Sequence, residues 1–193
     1  PAGTLYEAQL ASTATFSALA ASSVTLSSGA SFANLLSATT YYLRVRAFNR
    51  AGTASAYSAA TQTVTGADFS PPSAVTGLAL HASETPGVMT AVWTSPGDDG
   101  LAGVLAPGSR FHLQWTAADP AATTWSTASA QLSAATGPVA PGASASLVVT
   151  GLPVGSSVYL RVWAEDESAN VSAPSSTAAA WVSPFALARL DGA

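Results

Sequence analysis

The stretch Asn34-Leu-Leu-Ser-Ala-Thr-Thr-Tyr-Tyr-Leu-Arg-Val-Arg-Ala-Phe-Asn49 returns as Gly151-Leu-Pro-Val-Gly-Ser-Ser-Val-Tyr-Leu-Arg-Val-Trp-Ala-Glu-Asp166, so whatever this chain folds into, it must build twice. In each copy a leucine precedes a short turn and an alternating strand. Tyr41, Leu43, Val45 and Ala47 in the first copy match Val158, Leu160, Val162 and Ala164 in the second, with Tyr42, Arg44, Arg46 and Tyr159, Arg161, Trp163 between them. Successive side chains of a strand point to opposite faces, so one set packs and the other meets solvent. The copies differ upstream. Two strands are expected ahead of the Phe111 segment of the second, whereas the first begins almost directly at Leu5. The chain is therefore expected to start inside a domain.

At 193 residues the chain has room for about two sandwiches of roughly 100 residues only if one is incomplete. Charged residues make up 8%, the formal net charge is −4, and lysine is absent. That leaves no basic patch for nucleic acid and no polybasic stripe for a membrane surface. Without cysteine there is no disulfide framework, thiol nucleophile or Cys-zinc site. No apolar run approaches the ~20 residues that span a bilayer as a helix.

Turn chemistry punctuates short strands along the whole length. Tyr6, Ala8 and Leu10 alternate with Glu7 and Gln9; Ser31 to Leu35 leads into the repeated strand, and a turn at Asn49-Arg-Ala-Gly52 feeds a last strand ending near Thr65. Gly66-Ala-Asp-Phe-Ser-Pro-Pro72 reads as a linker, because consecutive prolines cannot continue a ladder. Further strands are expected at Val75–His81, Val88–Thr94, Arg110–Trp115, Ser146–Leu152, Val158–Ala164 and up to about Val182. No helical period persists, and short strands at regular spacing argue for antiparallel all-β sandwiches.

The second unit resembles a fibronectin type III domain of the kind found in bacterial extracellular proteins. The residues that carry this are Pro71-Pro72-Ser-Ala-Val-Thr-Gly-Leu78, Val92-Trp93-Thr-Ser-Pro-Gly-Asp-Asp-Gly100, Val149-Thr-Gly-Leu-Pro153 and Leu160-Arg-Val-Trp-Ala164. The first unit resembles the same family from its third strand onward. The resemblance implies tandem immunoglobulin-like β-sandwiches, the first lacking its first two strands: 1–66 partial, 67–73 linker, 74–183 complete, and 184–193 a tail or a linker to a further repeat. It implies that Trp93 packs in the core. It also implies that Tyr41, six residues after Leu35, forms a tyrosine corner whose phenol bonds the backbone just upstream. Val158 stands where the second copy would carry that tyrosine, so the bond is expected to be missing there. The expected core comprises Trp93, Leu113, Trp115, Leu147, Val149, Leu152, Leu160 and Val162 in the second unit, and Tyr6, Leu10, Phe32, Leu35, Tyr41, Leu43 and Val45 in the first.

Enzyme chemistry has few possible members. His81 and His112 lie in separate expected strands with no HxxxH spacing, and the glycines fall in turns rather than in a GxGxxG or P-loop arrangement. No catalytic residues and no bound cofactor are expected within this span.

Two clusters invite a functional interpretation. Asp98 and Asp99 follow the second strand of the second unit, and Glu165, Asp166 and Glu167 follow its sixth. In a fibronectin-type sandwich these loops share one end, the end entered from the linker with Asp68. Oxygen-rich clusters suit calcium, which takes six to eight hard ligands, so Asp68, Asp98, Asp99, Asp166 and Glu167 are candidate ligands. The competing expectation is a solvated turn, for which Asp-Asp-Gly is ordinary chemistry. The second cluster is the outward stripe Tyr42, Arg44, Arg46 and Phe48, matched by Tyr159, Arg161 and Trp163. It suits stacking on sugars or on a protein partner, or else covers its own sheet as cross-strand pairs with Glu7 opposite an arginine. Asn170-Val-Ser172 fits the N-glycosylation pattern, but an Ala-rich, lysine-free chain reads as bacterial and the match as accidental.

The expectation is a non-catalytic structural or interaction segment of an extracellular or cell-surface multi-repeat protein, a surface fibre or adhesin. The rival is a spacer or accessory module of a secreted polysaccharide-degrading enzyme. Partners would be proteins or like subunits, joined in one version by strand addition, or polysaccharide, with no nucleic acid and no membrane span.

Overall fold

The computed structural model describes residues 3–186. Most of the tail at 184–193, expected to link to a further repeat or to donate a strand, lies outside the described residues. The chain divides into two compact units, Pro1–Asp68 and Phe69–Ala193.

The first unit is one four-stranded antiparallel sheet made of β1 (Leu5–Ala11), β2 (Ala21–Thr25), β3 (Thr40–Phe48) and β4 (Thr61–Val64), in the order β2-β1-β3-β4. The repeated stretch supplies β3. Its alternation sets the register, with Tyr6 opposite Ala47, Ala8 opposite Val45 and Leu10 opposite Leu43 on one face. Glu7 opposite Arg46 and Gln9 opposite Arg44 lie on the other. The expected corner is present: the Leu36 N–H donates to the Tyr41 phenol oxygen at 3.0 Å, and Tyr41 is buried. Leu10 is buried as well. Tyr6, Phe32, Leu35, Leu43 and Val45 are only half-buried, against expectation, because the unit has no second sheet among its described residues to close over them. The chain between β2 and β3 forms no strand.

The second unit is a closed sandwich. One sheet has the order β11-β10-β7-β8, using β7 (Arg110–Thr116), β8 (Leu132–Ala135), β10 (Ser156–Glu165) and β11 (Ala178–Val182). The other has the order β5-β6-β9, using β5 (Thr76–Ala82), β6 (Met89–Thr94) and β9 (Ser144–Val149). This four-plus-three division, antiparallel throughout, is the immunoglobulin-like arrangement that the resemblance implies. The burial of β6 alternates strictly, with Met89, Ala91 and Trp93 inside. Trp93 is 2% exposed and meets Phe111 edge-on at 5.0 Å between ring centroids, a favoured aromatic geometry. Leu113, Val149, Leu152, Leu160 and Val162 are buried as expected, and Val158 is fully buried in the place of the corner tyrosine. Trp115 and Leu147 are half-buried.

Both units finish their long strand in the same way. In the second, β11 pairs with only the first half of β10, from Ser156 to Leu160. Beyond it Ser172 and Ser175 take over. Their backbone N–H groups donate to Ala164 and Val162, and their hydroxyl oxygens accept the N–H groups of the same two residues at 3.0 Å. In the first unit Ser55 and Ser58 do the same for Ala47 and Val45. Ser55-Ala-Tyr-Ser58 and Ser172-Ala-Pro-Ser175 thus form a repeated clamp, in which a side-chain oxygen stands in for a ladder carbonyl.

Candidate functional site

The two arginines of the stripe on β3 are engaged by side chains of their own unit. Arg44 donates through Nε and Nη2 to the Gln9 side-chain oxygen at 2.9 and 2.7 Å, and its guanidinium lies between the rings of Phe16 and Tyr57, 4.2 and 4.0 Å from their centroids. Arg46 donates to Glu7 at 2.5 Å and faces the rings of Phe48 and Tyr57. Glu7 also accepts from Gln9 at 2.9 Å and from the Tyr57 hydroxyl at 3.3 Å. Burial works against ionisation of Glu7. The hydrogen bonds from Arg46, Gln9 and Tyr57, with the Arg46 charge, outweigh it and hold the carboxyl below its ordinary value. This is the cross-strand alternative, built around Tyr57, a residue that the sequence analysis did not single out.

The matching stripe on β10 is also engaged, in part differently. Arg161 donates to the Thr177 hydroxyl at 2.8 Å and lies over Trp125 at 4.9 Å. Tyr159 is half-buried. Trp163 corrects the expectation of an outward aromatic, because it is only 5% exposed. It stands in β10 where β7 flanks one side, through His112, and the serine clamp flanks the other. Neighbouring His112 and Glu165 meet at 2.8 Å, so this histidine and one acidic residue pair with each other.

The acidic loops separate into three kinds of residue. Asp166 is 1% exposed and holds its own loop: Oδ1 accepts the N–H groups of Ser168 and Asn170 at 2.9 and 2.8 Å, and Oδ2 accepts from the Asn170 amide at 2.9 Å. Its counterpart Asn49 does the same job, accepting the N–H groups of Ala51 and Thr53. A neutral residue suffices there, so the position calls for a side-chain oxygen rather than a charge. Asp99 is exposed in a turn, its N–H donating to Ala102 and its carbonyl accepting from the same residue. That turn is tight: a Cβ on Gly97 would come within 2.3 Å of the Ala102 carbonyl oxygen. Asp98 and Glu167 are brought together, with a carboxylate oxygen of each within 4.8 Å. Glu167 Oε2 is buried without a hydrogen-bond partner. Asp68 belongs to the first unit.

A cavity of about 270 Å³ opens between β8 and β9, lined by Trp93, Phe111, Ala135, Val139, Ala145 and Leu147 among others. The Trp93 indole N–H is buried without a hydrogen-bond partner. Among the described residues no helix is long and apolar enough to cross a membrane.

No protein-family model matches this chain, and no curated protein matches it. Among solved structures it is similar to the chicken CNTN1 FN1-FN3 domains, at 14% identity and a TM-score of 0.43, over 93% of this chain and 54% of that one. It is also similar to domains A168-A170 from titin, at 19% identity and a TM-score of 0.40, over 76% of this chain and 41% of that one. The chain thus spans about half the length, or less, of these structures. The strand order and register of the second unit carry the fold by themselves.

Proposed function

We propose that this chain is a non-catalytic structural and interaction segment of an extracellular multi-repeat protein, of the kind that forms a surface fibre or adhesin. The supporting observation is repetition in detail. The Asn49 and Asp166 loops and the two serine clamps are built alike in both units, while the residues around them differ. Conserving a scaffold while varying its surroundings suits a module used in series. The polar groups that would have served chemistry, His112 with Glu165 and Glu7 with Arg46, are paired within their own sheets.

The experiment is to isolate the native polypeptide from its producing cells with antibodies against residues 69–186, then determine its mass and image labelled cells. Label on surface filaments from a repeat-containing polypeptide supports the proposal. Recovery of the segment in a secreted polypeptide that cleaves polysaccharide favours the spacer alternative.

Calcium enters this proposal through the second unit, at Asp98 and Glu167. The favouring observation is the unpartnered Glu167 oxygen beside a second carboxylate. Hard oxygen donors of this kind are what calcium takes.

A further inference from the structure

We propose that the cavity between β8 and β9 is the docking site for the Phe69 ring of a second copy of this chain. This goes beyond the repeat proposal, since a module used in series need not associate with itself.

The cavity exists because of two alanines. In the ladders Ala145 on β9 stands opposite Trp93, and Ala134 on β8 stands opposite Phe111. Directly opposite residues of neighbouring strands share a face, so each inward aromatic has only a methyl group beside it on the edge strand. The larger residues on those same inner faces, Leu132 and Leu147, lie two positions away and pack against the core. The edge-on pair of Trp93 and Phe111 is left as a floor, and about 270 Å³ stays open beside it, walled by Val139 and Leu147. An apolar cavity of roughly 150 Å³ already admits a benzene ring. A phenyl group therefore fits.

The surroundings decide what kind of group enters. Residues 120–160 contain no charged side chain and no histidine. The rim is formed by Ala135 with the hydroxyl residues Thr136, Ser144 and Ser146. A charged group would be desolvated there without a partner, whereas an uncharged apolar one gains by burial. The flanking strands are open as well, because β8 pairs only with β7 and β9 only with β6. From Ser144 to Val149 the edge of β9 has no proline, glycine or charge, the usual devices against strand pairing. The opposite edge of the same sheet, β5, is interrupted by a register shift between Thr76 and Ala79. An extended segment that turns one apolar side chain inward suits both the cavity and the edge beside it.

This chain carries such a segment. Phe69 is 82% exposed, more than any other large apolar side chain among the described residues. It lies within residues 65–71, which form neither strand nor helix. Ser70 precedes Pro71, and a residue before proline is held extended, so the ring stands on a stiff arm. Phe185 is also widely exposed, but its backbone N–H and C=O are both tied to the Ser183 hydroxyl. Asp68, beside Phe69, meets no carboxylate at the rim. Ring and cavity belong to one unit, yet the exposure of Phe69 shows that it does not fill the cavity of its own copy. They are two different surfaces, so copies defective in one or the other are complementary.

The contact is tested on residues 1–193 by analytical ultracentrifugation. The unsubstituted chain should associate as its concentration rises, and Phe69→Ser and Ala145→Leu should each weaken that association about tenfold or more. Ala134→Leu, which fills the cavity from the other strand, replaces A145L if the latter lowers the melting temperature. An equimolar mixture of F69S with the filled-cavity variant should form one-to-one complexes that neither variant forms with itself. With p-benzoylphenylalanine in place of Phe69, irradiation should cross-link one copy to Val139, Ala145 or Leu147 of another. A chain that stays monomeric overturns the proposal. So does association that F69S leaves unchanged, or a mixture that recovers no complex.

Discussion

Gly52 and Ala169 hold the same place in the two copies and share a left-handed backbone, with φ of +79° and +66°. Each closes a loop whose first residue, Asn49 or Asp166, gathers the following N–H groups on its side-chain oxygen. Glycine adopts this conformation without strain, whereas an alanine Cβ crowds the backbone. Ala169→Gly should therefore stabilise the second unit, by about 0.5–1 kcal/mol after the added freedom of the unfolded chain is subtracted. Gly52→Ala should do the reverse in the first unit. Denaturant unfolding monitored at each unit checks both.

The serine clamp predicts a specific kind of damage. Ser172→Ala and Ser175→Ala remove the acceptors of the buried Ala164 and Val162 N–H groups. An orphaned buried donor costs about 1–3 kcal/mol. Each substitution should lower stability by that order and speed hydrogen exchange at its own amide, leaving the amides paired to β11 slow.

Truncating Trp93 removes the largest fully buried side chain, along with its edge contact to Phe111. Trp93→Ala should cost about 3–5 kcal/mol. A loss below ~1 kcal/mol in the same unfolding experiment would contradict the packing described here.

Glu7 supplies a pH test. Its folded-state carboxyl lies below the ordinary value of 4.5, so the stabilisation from its ionised form is present above that value and is lost as pH falls through the lower, folded-state one. NMR titration of the Glu7 carboxyl should give a midpoint below 4.5, and Arg46→Gln should raise that midpoint.

Calcium can be decided at Glu167. In chelator, Glu167→Gln relieves the repulsion from Asp98 and should raise the melting temperature of the second unit. In calcium at about ten times its dissociation constant, the unsubstituted unit should gain about 1.4 kcal/mol, and the variant should lose that gain. A calorimetric profile indifferent to calcium assigns both residues to an acidic loop without an ion.

The alternating strands were legible because their apolar residues are large: Trp93, Leu113, Leu160 and Val162 mark an inner face without ambiguity. The Tyr41 corner was legible from its distance to Leu35. β2 and β8 were not, since Ala-Ser-Ser-Val-Thr and Leu-Ser-Ala-Ala carry little contrast between faces. Alternation placed Trp163 outward, and it cannot show that neighbouring chain shields the outer face. Phe32 and Leu35 were expected inside because the repeat says so, but burial needs an opposing layer. For Asp166 the signal was present in its alignment with Asn49, which shows that an oxygen is wanted at that position, whereas counting charges pointed to a metal.

The clamps also bear on how such units live side by side. Tandem domains of similar sequence are held at high local concentration, where a strand of one can be captured by the open edge of the next. The long strands β3 and β10 would offer such edges beyond the short β4 and β11. With Ser55, Ser58, Ser172 and Ser175 occupying those amides from within, each unit keeps its seam closed against its neighbours.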